Sequence, residues 1–298
     1  MSTTSEMIRK MFREGDDIRD AGLRSPDDIV RWDNILYGID SEWQILDVYR
    51  PRAENGKKLP VIVSVHGGGW VYGDKERYQF YCMNLAQRGF AVVNYSYRLA
   101  PESKFPASLE DTNLVFSWVL AHGEEYGFDL KHVFGVGDSA GAHILGLYTC
   151  ICTNTEYADQ FPFHAPLGFV PSAIALNCGA YLLEANRSVP DLTTCLMEDF
   201  LPGHGTSAEL ERITVTNHIL PNFPPVFLMT ATGDFMMAQA PILAKKLAET
   251  AIPFVYRFYG DSTHELGHVF HLNIRSKNAR VCNDEECAFF LTVCREDR

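Results

Sequence analysis

The sequence predicts an α/β fold with a mostly parallel, doubly wound central sheet. Six apolar runs, PVIVSVHGGGW (60–70), FAVVNYSYR (90–98), HVFGVGD (132–138), SAIALN (172–177), PVFLMTATGD (225–234) and FVYRFYG (254–260), are rich in β-branched or aromatic residues. They are continuous rather than alternating, as strands buried on both faces must be. Stretches of helical apolar spacing separate them, and strand–helix alternation is the signature of a parallel sheet wrapped by helices. At 298 residues, 46% of them hydrophobic, the chain can bury one large core, so one domain with an appended lobe is expected.

Each element follows in order. Residues 1–36 are charged, with Met7, Ile8, Met11 and Phe12 spaced to line one helix face, which reads as an N-terminal helical arm. ILDVYR (45–50) is the first apolar run. Residues 76–88 form a helix closed by Gly89, which suits a left-handed cap. Leu109, Phe116, Val119 and Leu120 mark a helix over 108–121, a further helix covers 140–152, and Ile242, Leu243 and Leu247 mark one over 239–250. Residues 182–222 break the rhythm with Pro190, Pro202, Pro221 and a G-H-G turn. A structureless loop of that length is uncommon in a compact domain, so the segment reads as a small lid over the carboxyl edge of the sheet, with a plain surface connection as the alternative. The expected organisation is a helical arm over 1–42 forming part of a cap, a core over 43–181 and 223–298, and a cap insertion over 182–222.

Charge and cysteine usage narrow the function. The net charge of −12, with no Lys/Arg cluster, disfavours nucleic acid and anionic lipid as partners. The N-terminal stretch has no apolar signal region and no apolar run reaches the roughly 18 residues that span a bilayer, so neither export nor membrane insertion is expected. Eight scattered cysteines without a C-x-x-C pair suit a reduced cytoplasm.

The chemistry concentrates at GDSAG (137–141), where a strand turns into a helix. A nucleophile at such a turn projects its hydroxyl beyond the carboxyl end of the sheet, and the residues two before and two after must be small; Gly137 and Gly141 satisfy this around Ser139. Gly67, Gly68 and Gly69 follow a buried strand. They could form only a flexible turn, but attack on an ester or amide creates an oxyanion that needs closely approaching backbone donors. Gly68, Gly69 and Ala140 are assigned that role. His66 is expected to hold this loop by hydrogen bonding, and Trp70, Tyr95, Tyr97, Cys150 and Cys152 read as packing.

HGGGW (66–70), YRLAPE (97–102) with FPA (105–107), Asp111 and GDSAG together resemble the hormone-sensitive-lipase-like branch of the α/β-hydrolase carboxylesterases. The likeness runs from about Asp47 to about Phe270. It implies an α/β-hydrolase fold, a serine esterase mechanism, and a cap made from the N-terminal arm and the insertion before the acid. Ala142 stands where that family usually has a third glycine, which touches local packing. The chain order serine, acid, histidine places the acid at Asp234, just past a strand, although an aspartate there could also cap the next helix. For the base, the family's usual spacing from the acid favours His264, while its usual H-x-F context favours His268; His268 is chosen.

Other readings exist. HELGH (264–268) matches a zinc motif, with Glu285 or Glu286 as a third ligand, but that reading leaves HGGG and GDSAG unexplained. An amidase or peptidase would use the same triad, and a silent ligand receptor would keep the fold without the chemistry. The expected partner is a small-molecule ester with a short or medium acyl chain, acetyl esters of small alcohols or sugars among them, with no metal or organic cofactor.

Overall fold

The structure, a computed structural model, describes residues 3–54, 56–184 and 192–296. The strands are β1 (Ile29–Leu36), β2 (Ile45–Pro51), β3 (Leu59–Val65), β4 (Ala91–Tyr95), β5 (Phe128–Asp138), β6 (Ala173–Asn177), β7 (Val226–Ala231) and β8 (Phe254–Tyr259). The helices are α1 (Thr3–Asp20), α2 (Lys75–Ala86), α3 (Ala107–Ala121), α4 (Gly123–Tyr126), α5 (Ala140–Thr153), α6 (Thr155–Ala158), α7 (Leu192–Phe200), α8 (Ser207–Arg212), α9 (Gln239–Glu249) and α10 (Lys277–Glu296). Among the described residues one eight-stranded sheet forms, in the order β1-β2-β4-β3-β5-β6-β7-β8. Strand β2 runs against both its neighbours, and every other adjacent pair is parallel.

The continuous apolar runs are buried as their composition requires. Every residue of β4, β6 and β7 is buried. Side-chain alternation splits the core into two layers. Val61, Val63 and Val65 pack on one face with Phe116 of α3 and Leu145 of α5. Ile62, Val92 and Phe134 pack on the other with Leu85 of α2 and Phe290 of α10. Helices on both faces of a mostly parallel sheet make the α/β-hydrolase architecture.

One sequence expectation needs correction. The helical arm assigned to residues 1–42 ends as helix at Asp20, and Ile29–Leu36 is instead a strand of the sheet, paired antiparallel with β2. In this edge strand only Ile29 is fully buried. Its backbone pairing, not an apolar face, holds it, so its sequence carries no alternating signal. Within the segment 182–222, residues 192–217 hold α7, α8 and a 3-10 turn over Val215–Asn217, while Pro190 lies outside the described residues. Helix α1 is fastened to the body: Ser5 donates to Asp199 of α7, and Arg9 donates to the Val71 carbonyl at 2.7 Å and the Ala100 carbonyl at 2.9 Å. Among the described residues no helix is long and apolar enough to cross a membrane.

Beneath β1, Lys75 and Asp47 form an ion pair at 3.0 Å with side chains only 3% and 2% exposed. Asp47 also accepts from the Asn34 N–H and the Tyr49 hydroxyl, each at 2.8 Å. Removing one partner of a buried pair leaves an uncompensated charge. Lys75→Met is therefore expected to destabilise the chain by about 3–5 kcal/mol, measured as a lower urea midpoint at pH 7.

Candidate active site

The site is built on a strained turn. Ser139 joins β5 to α5 with φ 52° and ψ −119°, a conformation that costs a non-glycine residue about 1–3 kcal/mol. The surroundings hold it there: the Ser139 N–H donates to the Asn177 carbonyl at 2.9 Å, and the Ser139 carbonyl accepts from His143 N–H at 3.2 Å. The flanking glycines are sterically required. A Cβ on Gly137 would stand 2.6 Å from the Gly141 carbonyl oxygen, and one on Gly141 would stand 2.1 Å from that of Val65. The Ala142 methyl, where the resemblance leads one to expect glycine, is accommodated by a glycine elsewhere: a Cβ on Gly179 would come within 2.6 Å of it.

The glycine loop follows β3. Gly68 has φ 119°, and a Cβ there would lie 2.0 Å from the Tyr72 carbonyl oxygen. His66 Nδ1 lies 2.8 Å from the Gly67 carbonyl oxygen, so the ring proton sits on Nδ1. That carbonyl shares a trans peptide plane with the Gly68 N–H, and the two point opposite ways; holding one aims the other. Burial lowers His66 to about 4, so the ring stays neutral at pH 7. Tyr97 stacks on it at 3.9 Å and donates to its carbonyl at 3.0 Å. Within the described residues nothing accepts a hydrogen bond from the N–H groups of Gly68, Gly69 or Ala140.

Asp234 follows β7 and is 3% exposed. Its Oδ2 accepts from the Thr230 hydroxyl at 2.7 Å, and its Oδ1 accepts from the Met236 N–H at 2.8 Å and from His268 Nδ1 at 2.6 Å. Burial alone would raise this carboxyl; the His268 hydrogen bond and charge, with Thr230 and the Met236 N–H, bring it below the usual carboxylate range. His268 Nε2 lies 2.9 Å from Ser139 Oγ. The loop carrying it is tied down by the Gly233 N–H, which donates to the Leu266 carbonyl at 2.8 Å. His264 stands elsewhere, its side chain 79% exposed and bonded to Thr263 at 2.9 Å.

HELGH is not helical, so His264 and His268 do not share a face. Glu285 is bonded to Arg257 and Tyr259, and Glu286 is buried against Asn177 and Tyr81; the zinc set is not assembled. The ligand atoms of Cys178, Asp234 and His268 do fall within 4.8 Å of one another. Burial raises the Cys178 thiol well above its usual range, and the other two groups are already engaged, Asp234 with Thr230 and His268, and His268 with Ser139.

Several further groups support the site. Trp70 packs on Phe200 and donates its Nε1–H to His143 at 3.1 Å. Tyr78 accepts from the Gly67 N–H and donates to Asp138 Oδ2, each at 2.8 Å. A cavity of about 300 Å³ opens beside Ser139, floored by Gly67, Gly68 and Asp138 and roofed by Met11, Phe12 and Asp16 of α1.

Behind the turn, Glu286 accepts from Asn177 Nδ2 at 2.6 Å and from the Tyr81 hydroxyl at 3.1 Å, and burial pushes it up to about 7. Between its ordinary 4.5 and about 7 the folded chain holds a proton that the unfolded chain has lost, so stability falls as pH rises through that window. Glu286→Gln keeps the shape without the ionisation. The expected result is a smaller loss of thermal midpoint between pH 5 and pH 8 than in the parent, measured by calorimetry.

A serine on a strained strand-to-helix turn, at the carboxyl edge of a mostly parallel sheet and in contact with an imidazole, is the arrangement of an α/β hydrolase. The BD-FAE family model matches residues 46–247, and the chain belongs to the BD-FAE family, within the α/β-hydrolase carboxylesterases. It is similar to esterase LipC of Mycobacterium tuberculosis, 30% identical over 243 residues that cover 79% of this chain and 57% of LipC. An esterase of Gibberella moniliformis is 26% identical over 211 residues, covering 67% of this chain and 64% of that protein. The chain thus matches less than two thirds of the length of either relative. Among solved structures, esterase B from Lactobacillus rhamnosis, in a form inhibited with a C4-C4 tributyrin phosphonate, superposes with a TM-score of 0.87 at 25% identity. That likeness covers 99% of this chain and 96% of the other.

Proposed function

We propose that the chain is a serine carboxylesterase that hydrolyses short- to medium-chain acyl esters, acetyl esters among them, of small alcohols or sugars. The observation that supports this reading is the hydrogen-bonded chain from Ser139 Oγ through His268 to Asp234, at 2.9 and 2.6 Å.

The chemistry runs in two halves. His268 Nε2 takes the Ser139 proton as Oγ attacks the ester carbonyl carbon. The tetrahedral oxyanion is held by the Gly68, Gly69 and Ala140 N–H groups, each such donor contributing about 3 kcal/mol to the transition state. The intermediate collapses, the alcohol leaves with the proton from His268, and an acyl-enzyme remains. Water, deprotonated by His268, attacks that acyl group, and the acid departs as Ser139 regains its proton. Asp234 fixes the imidazole with its proton on Nδ1 and stabilises the cation formed in both halves. No metal or organic cofactor enters these steps.

A cavity of about 300 Å³ suits a short acyl chain, and the related esterase B is inhibited by a phosphonate with C4 chains. We assign the cap to α1 together with residues 192–217, since α1 roofs the cavity and is bonded to α7. The eight free cysteines accord with a cytoplasmic setting.

Ser139→Ala and His268→Ala are each expected to lower kcat on p-nitrophenyl acetate by about 10³-fold or more, whereas His264→Ala keeps kcat near that of the parent. Loss with His264→Ala but not with His268→Ala would transfer the base to the other histidine. Undiminished hydrolysis in Ser139→Ala would discard the serine mechanism. Across p-nitrophenyl esters of two to twelve carbons, kcat/KM is expected to peak at about two to six; a peak at ten or longer overturns the short-acyl assignment.

A further inference from the structure

Asp138, the residue before Ser139, is a buried carboxyl that the esterase mechanism does not use. It is 2% exposed and lines the cavity beside the nucleophile. Its Oδ2 is occupied by the Tyr78 hydroxyl at 2.8 Å. Its Oδ1 has no hydrogen-bond partner among the described residues.

The other polar side chains around the cavity are already paired. Tyr72 donates to Asp16 Oδ2 at 2.9 Å, and Arg19 donates to Asp16 Oδ1 at 2.8 Å and to both oxygens of Asp20. Tyr78 is held between Gly67 and Asp138, and His268 spans Ser139 and Asp234. Among the described side chains lining this space, the acceptor left over is Asp138 Oδ1. Oδ1 is not sealed in the core but opens onto the cavity, where water or a donor carried by a ligand can meet it, and a ligand that displaces the water must supply that donor itself. Fastening Tyr78 needs only one carboxylate oxygen. The second belongs to a residue that lines the same cavity as Ser139 and is placed to meet a donor that arrives with the substrate.

We propose that Asp138 is a specificity-determining residue whose Oδ1 accepts a hydrogen bond from a hydroxyl group on the substrate, near the scissile ester, so that the preferred substrates are hydroxylated esters. This rests on the esterase reading and adds to it the group that selects the substrate. The comparison is made at pH 8.5, above the value of about 7 to which burial raises this carboxyl, so that it is ionised. A carboxylate accepts and does not donate, so an ether oxygen at the same place gains nothing. The hydroxyl can belong to the alcohol half or to the acyl half, and the two are separated by experiment.

The test compares each hydroxyl with its methyl ether, which keeps the oxygen and removes the donor. The first pair is 2-hydroxyethyl acetate against 2-methoxyethyl acetate, for the alcohol half. The second is ethyl 3-hydroxybutyrate against ethyl 3-methoxybutyrate, for the acyl half. The full chain is expected to show kcat/KM about tenfold higher for the hydroxylated member of at least one pair, and Asp138→Leu is expected to bring that ratio near one. Each ratio is internal to one enzyme, so a general fall in activity of the variant does not affect it. If the leucine variant does not fold, Asp138→Asn takes its place: it keeps an acceptor for Tyr78 and gains an N–H that can meet either oxygen, and it is expected to bring the ratio towards one. Ratios near one in both pairs for the parent, or a preference that survives Asp138→Leu, overturn the role of Asp138 and leave the esterase reading standing. Hydrolysis of none of the four esters, or hydrolysis undiminished in Ser139→Ala, overturns both.

Discussion

Everything in this site depends on one tight backbone approach. The peptide at Gly141 lies so close to β3 that a methyl group there would meet the Val65 carbonyl oxygen at 2.1 Å. This contact lets the first turn of α5 sit over the end of β3, and it forces Ser139 into its left-handed backbone at φ 52°. The strain is held by neighbours on other strands. Asn177, at the end of β6, takes the serine N–H through its carbonyl, and its side chain is anchored by Glu286 from α10. Ser139 is thus positioned by a strand, a helix start and the C-terminal helix together.

The same contact sets where backbone N–H groups can face the cavity beside Ser139. With α5 seated on β3, the loop leaving β3 must pass in front of the helix N-terminus, where unpaired N–H groups already point outward. Glycine at 68 allows the chain to turn there, and the buried neutral His66 fixes the plane of its peptide. A charged imidazole would add a second N–H donor to an environment with nothing to accept it; burial prevents this by lowering its pKa. The loop is flexible by composition and rigid by hydrogen bonding.

Much of this was legible in the sequence, for reasons that differ by element. The parallel core strands were readable because burial on both faces demands continuous apolar runs, and β4 and β7 show that demand in full. Strand β1 was not readable, because an edge strand held by backbone pairing leaves little pattern. Ser139 and its glycines were readable because backbone proximity is a residue-by-residue constraint. Between His264 and His268 the sequence offered two conflicting cues, and only the path of the loop, pinned at Gly233 and Leu266, shows which ring reaches Ser139. Asn177, Tyr78 and Glu286 were invisible, since their roles arise only where separate elements converge. The HELGH match shows the converse: its spacing counts only on a helix, and residues 264–268 are not one.

Two aspartates within this site, both nearly closed to solvent but Asp138 the more deeply enclosed, are pushed in opposite directions. Asp234 accepts from the imidazole, a hydroxyl and a backbone N–H, and those donors hold it below the usual range against the cost of burial. Asp138 accepts from Tyr78 alone, and burial wins, raising it to about 7. Two differences act together: Asp138 is more fully desolvated, and Asp234 receives more hydrogen-bond donors together with the charge of His268. Asp234 is therefore committed to the ionised form that a histidine partner requires. Asp138 keeps unspent acceptor capacity, and its state depends on what else enters the cavity: a ligand that donates to it favours the ionised carboxylate, and one that does not leaves it nearer neutral.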